Sequence, residues 1–103
     1  MLFRSSYDTG VTVDTSAVSV LTFPTSLYSS GKLLIQAKHN SEVTLFDTNF
    51  VQNTVNCTLS VNTTSSAGNL GSITANISAG NVNVYFTGVN AGNTVKILKL
   101  FLV

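Results

Sequence analysis

Proton transfer near neutral pH, nucleophilic attack and metal binding draw on a short list of side chains, and this 103-residue chain holds few of them: one His, one Cys, three Asp and one Glu. His39 stands at the end of a strand beside Asn40 and Ser41 in what reads as an exposed turn, where a surface histidine is far commoner than a catalytic base, and is given no role. Cys57 falls in the apolar phase of a strand-like run, where a thiol packs as a small hydrophobe and its pKa rises. A lone Cys also excludes an intramolecular disulfide and a cysteine-based zinc site, and leaves the redox compartment open. Asp8 and Asp14 flank "TGVTV" and Asp47 precedes "TNF", but no DxDxDG calcium loop accompanies them, so they read as turn aspartates. GxSxG, HExxH and P-loop sequences are absent, and "GNLG" leads into no helix that could present its N-terminus to phosphate. No catalytic residue, cofactor or metal is assigned, and the chain is expected not to be an enzyme.

Binding chemistry is equally restricted. Nine charged side chains and a formal charge of +1 give no basic stripe for a phosphate backbone, so nucleic acid is not an expected partner. No run approaches the roughly 18 apolar residues of a membrane span, and "MLFRSSYDTG" is too short and polar for a secretory signal, so a soluble, unprocessed protein without a membrane partner is expected. Trp, the usual sugar-stacking platform, is absent; of Tyr7, Tyr28 and Tyr85, the last lies in the wet phase of its strand and is the candidate exposed aromatic contact. Three Asn-x-Ser/Thr sequons, at Asn56, Asn62 and Asn76, match chance, since 11 Asn and 27 Ser or Thr among 103 residues give roughly 2.9.

The elements that must position these residues are strands. "TVNCTLSVN" alternates Val55, Cys57, Leu59 and Val61 with polar residues; "GSITANIS" alternates Ile73, Ala75 and Ile77; "NVNVYFT" alternates Val82, Val84 and Phe86. "KLLIQAK" sets Leu33, Ile35 and Ala37 on one face and "EVTLF" sets Val43 and Leu45 there, with "HNS" as the turn of a hairpin. "GVTV" and "AVSVLTF" add two short runs before Pro24, which argues against a central strand at that point. No helical periodicity occurs. Seven or eight short strands separated by Gly/Asn/Ser turns predict an all-β, antiparallel β-sandwich of jelly-roll or Ig-like size, in preference to a barrel. One domain spans residues 1–103, with 1–10 as an N-terminal arm and the low-complexity "NTTSSAGNLG" at 62–71 as a long polar loop; neither flank could build a core if that stretch were a linker.

"VLTFPTSLYSSGKLLIQ" (20–36) and "GNLGSITANISAGNVNVYFTGVNAGNTVKILKLFLV" (68–103) resemble a small all-β module of structural proteins in tailed-phage particles, marine ones in particular. The likeness covers about half the chain, and residues 38–67 depart from the family's pattern, which has an Ile-His-Asp-Gly turn there. The resemblance implies a virion component without enzymatic activity. A complete short chain with no repeats and no coiled-coil stem then suggests a capsid decoration or cement protein on the head shell, bound to the major capsid protein. A tail, neck or fibre position is the alternative within that class, and a glycan or host-surface binding module built on Tyr85 and the Asn/Thr faces is the alternative outside it.

The last strand, "NTVKILKLFLV", holds Val95, Ile97, Lys99, Phe101 and Val103 in one phase and Lys96, Leu98, Leu100 and Leu102 in the other. It is expected to pair as a hairpin with Val82–Phe86 across "VNAGN", to be wet on both faces where it begins, and to be doubly covered at its end. Leu98, Leu100 and Leu102, with Leu2 and Phe3 from the other terminus, are the candidate subunit interface, covered by a second sheet or a neighbouring subunit. A homo-oligomer, with a trimer as first expectation, would relieve that exposure.

Overall fold

The protein, described by a computed structural model over residues 3–13 as a backbone trace and over residues 15–90 and 92–102 in full, is a two-layer β-sandwich with no helix among the described residues. Its strands are β1 (Phe3–Val13), β2 (Val18–Pro24), β3 (Ser30–His39), β4 (Glu42–Gln52), β5 (Cys57–Ser65), β6 (Gly71–Ser78), β7 (Asn81–Gly88) and β8 (Asn93–Leu102). A five-stranded sheet, β1-β8-β3-β4-β5, packs on a three-stranded sheet, β2-β7-β6, and neighbours within each sheet are antiparallel.

Local chemistry sets the hairpins. Asn40 takes φ 57° in the two-residue turn that sets Glu42 opposite His39, and Ala79 and Gly80 take φ 53° and 78° in the turn that sets Asn81 opposite Ser78. Between β4 and β5, Asn53 Oδ1 accepts hydrogen bonds from the Val55 and Asn56 amides at 3.1 and 2.8 Å. Val55, expected in the strand, therefore sits in this turn and is 74% exposed.

The core lies between the sheets. From the large sheet come Leu33, Ile35, Ala37, Phe46, Phe50, Val95, Ile97 and Phe101, and from the small sheet Phe23, Ile73, Val82, Val84 and Phe86, with Leu70 closing one end. Tyr28 stacks on Phe101 with ring centroids 4.2 Å apart, and Phe23 and Phe50 approach the same ring at 5.0 and 5.7 Å. Gly31 makes this end close: a Cβ there would meet the Leu100 carbonyl oxygen at 2.4 Å and Phe50 Cε1 at 2.9 Å.

Several expectations are corrected. The strand face formed by Leu33, Ile35 and Ala37 is buried as read, but its partner in β4 is Thr44, Phe46, Thr48 and Phe50, not Val43 and Leu45. The two-residue turn fixes that phase by pairing Ala37 with Thr44 and Ile35 with Phe46, and two phenylalanines bury more apolar area than a Val and a Leu. The polar loop is confined to 66–70, because Asn62–Ser65 continue β5 along β4. Thr44 anchors it, its hydroxyl oxygen lying 3.0 Å from Ser65 Oγ and accepting the Leu70 amide at 3.1 Å. The N-terminal stretch is not an arm: from Phe3 onward it is β1, paired with β8, while Leu2 lies outside the described residues. The closing hairpin does not form either. β7 is flanked by β2 and β6, and β8 by β1 and β3, so the chain crosses between sheets at 89–92. Nor is β8 wet where it begins: Asn93, Val95 and Ile97 are 0%, 1% and 2% exposed beneath the small sheet.

Candidate functional site

The groups with chemical potential do not converge. His39 closes β3 on the inner side, part-buried rather than in an exposed turn; Asp47 lies mid-strand in β4; Cys57 begins β5. Among the described residues no three His, Cys, Asp or Glu side chains are grouped to hold a metal ion. Burial pushes the Cys57 thiol above its ordinary pKa, away from nucleophilic reactivity. His39 Nδ1 and Asn93 Oδ1 are both buried without a hydrogen-bond partner among the described residues, at the ends of adjacent strands; the other Asn93 amide atom, Nδ2, donates to the Asn90 carbonyl at 2.7 Å. The side chains of Asp8 and Asp14 lie outside the described residues.

Two surfaces remain. The first is the outer face of the five-stranded sheet, turned away from the small sheet. Leu98, Leu100 and Leu102 project there, because Val95, Ile97 and Phe101 take the inner phase. The small sheet thus covers the opposite side of β8 from the one expected, and Leu102 is 42% exposed. Leu34 pairs with Leu98, Lys32 with Leu100 and Ser30 with Leu102, while on the far side Phe3 is the register partner of Leu102. The fold thus brings Phe3, Leu98, Leu100 and Leu102 together by pairing the two ends of the chain. Lys32 Nζ reaches Asp47 Oδ1 at 2.7 Å, and because Ser30 and Asn49 are short, an open apolar hollow of about 490 Å³ lies beside Leu100 and Leu102. Both ions of that pair are more than a third exposed, so it contributes at most about 1 kcal/mol, and Lys32 itself forms part of the wall of the hollow.

The second surface is the outer face of the three-stranded sheet. Tyr85 stands half-buried at its centre, between Ser19 of β2 and Thr74 of β6. Beside it runs a chain of side-chain hydrogen bonds: Ser19 Oγ and Thr22 Oγ1 at 3.2 Å, Thr22 Oγ1 donating to Asn83 Oδ1 at 3.1 Å, and Asn83 Nδ2 donating to Asn76 Oδ1 at 3.3 Å. This face is uncharged and rich in amides and hydroxyls.

Sequence reasoning passed over Gln52. Its Nε2 donates to the Thr25 and Tyr28 carbonyls at 2.7 Å each, and its Oε1 accepts the Thr54 amide at 2.7 Å, so one side chain fixes the loop before β3 to the loop after β4. The available signal was its phase: it continues Thr44, Phe46, Thr48, Phe50 into the interior.

Compared as a sequence, the chain matches no protein-family model and no curated protein. Compared as a fold, it superposes on part of the crystal structure of the Acinetobacter phage vB_ApiP_P1 tailspike protein with a TM-score of 0.56 and 18% identity, over 95% of this chain. The chain spans about a fifth (21%) of that protein's length. At this identity the likeness is one of fold: nearly the whole chain is an antiparallel β-sandwich of a kind also built into a phage tailspike.

Proposed function

We propose that this protein is a non-enzymatic structural module of a tailed-phage particle, associated with the tail rather than the head shell. The observation that carries the reading is the fold match, which takes in 95% of the chain and falls within a tailspike. The scatter of His39, Asp47 and Cys57 over separate parts of the sandwich agrees with a role in assembly. A capsid cement role, the expectation from sequence, finds no support in that neighbour, which is a tail protein. Separated heads and tails, probed by mass spectrometry or immunogold labelling, test the assignment. The chain is expected with tails and absent from tail-less heads; labelling of heads alone, or of neither fraction, overturns it.

A second reading, attachment to a neutral glycan, is favoured by the outer face of the small sheet. Tyr85 offers a ring for stacking, and the Ser19–Thr22–Asn83–Asn76 chain offers amide and hydroxyl groups for sugar hydroxyls. Tyr85→Ala is expected to remove binding to a glycan array while leaving the fold intact. Array binding that survives the substitution refutes that site.

A further inference from the structure

The four sheet edges are not alike. The register of β1 is broken between Asp8 and Val11, and that of β2 between Ser19 and Leu21, and β2 ends on Pro24. Bulges and proline are devices that stop a sheet from recruiting another strand. β5 and β6 have neither: nine consecutive pairs run from Thr44↔Ser65 to Gln52↔Cys57 and eight from Gly71↔Gly88 to Ser78↔Asn81, without a shift. Neither strand contains a charged residue or a proline. β5 is the longer, and it borders the wider sheet. Along it Val61 and Thr63 open with Phe46, Asn69 and Ile73 onto a groove of about 210 Å³ between the two sheets.

We propose that β5 is a strand-pairing edge whose occupant is β5 of a second copy of this chain, antiparallel about a two-fold axis, so that two five-stranded sheets become one continuous sheet. An edge strand turns alternate backbone N–H and C=O groups outward, and an antiparallel copy satisfies them. A second copy is electrostatically compatible with this edge, because residues 53–71 carry no charge and self-pairing sets no like charges opposite one another. Pairing centred on Val61, the middle of the strand, sets Ser60 opposite the partner copy's Asn62 and Thr58 opposite its Thr64, so neutral polar side chains face one another across the exposed face. A two-fold pair closes on itself, which gives a dimer in place of the expected trimer. The inference is independent of the phage assignment.

The test is the solution mass of the full chain by light scattering, with amide exchange in β5. The wild type is expected to show a concentration-dependent dimer in which the 58–64 amides exchange more slowly as the dimer fills. Ser60→Lys with Asn62→Lys, both at exposed positions, places lysines opposite lysines and is expected to weaken the dimer roughly tenfold or more, with the thermal midpoint unchanged in protein dilute enough to be monomeric. A chain still monomeric at ~1 mM overturns the proposal. So does a dimer indifferent to the two lysines, or one lost instead in Leu100→Asn, which would place the contact on the leucine face.

Discussion

The two phases of β8 differ by one residue of register, and Phe101→Ala against Leu102→Ala measures which is inside. Phe101 is 5% exposed and its ring touches Tyr28, Phe23 and Phe50. Truncation forfeits roughly 2 kcal/mol of transfer free energy and, at about 24 cal/mol per Å³, roughly 1–2 kcal/mol more for a residual cavity of about 40–80 Å³, or about 3–4 kcal/mol in all. Leu102, 42% exposed on the outer face, loses only part of its transfer term and leaves no cavity, about 1 kcal/mol. Urea unfolding of dilute protein, followed by tyrosine fluorescence and far-UV circular dichroism, reads both. In thermal terms the Phe101 substitution lowers Tm by at least about 12 °C, taking about 4 °C per kcal/mol for a domain of this size. Equal costs for the two substitutions, or a larger cost at Leu102, would refute the placement of the small sheet over Val95, Ile97 and Phe101.

Gly31→Ala drives a methyl group into the Leu100 carbonyl and the Phe50 ring, and a loss of about 1–3 kcal/mol is expected in the same unfolding assay. Gln52→Met keeps the volume but orphans the Thr25 and Tyr28 carbonyls and the Thr54 amide; about 2–4 kcal/mol is expected, with faster amide exchange concentrated at 25–29 and 53–56. Cys57 gives a pH dependence. Burial raises its folded pKa, so the unfolded chain loses the thiol proton first, and stability falls as the pH rises above about 8.5, the unperturbed thiol value. Wild type compared with Cys57→Ala across pH 7–10 reads that slope, and identical profiles would mean that the thiol is not desolvated.

The strands were legible because period-two alternation in Leu33–Ala37, Ile73–Ile77 and Val82–Phe86 reflects a sheet with one face in contact with a core. Alternation gives a phase only when one phase is clearly more apolar. In β4 the sequence offers Val43 and Leu45 against Phe46 and Phe50, and in β8 both phases are apolar, so the choice passes to register and to the opposing sheet. Pairing was legible across two-residue turns, as at Asn40–Ser41, and illegible at 89–92, where turn-like residues carry the chain from one sheet to the other. The candidate contact face was half visible: Leu98, Leu100 and Leu102 stand out in the sequence, whereas their alignment with Leu34 and the hollow over Ser30 exist only through the β3–β8 register. The β5 edge was not visible at all, since an edge is a property of sheet order.

By itself, then, the sequence determined an all-β chain with almost no acid–base chemistry, because side-chain period and residue inventory are local quantities. The tertiary structure decided which phase of β4 and β8 is buried, which strands neighbour each other, and which edges lie open. Those depend on contacts between residues far apart in the chain, such as Phe3 with Leu102 and Lys32 with Leu100, and no local pattern encodes them.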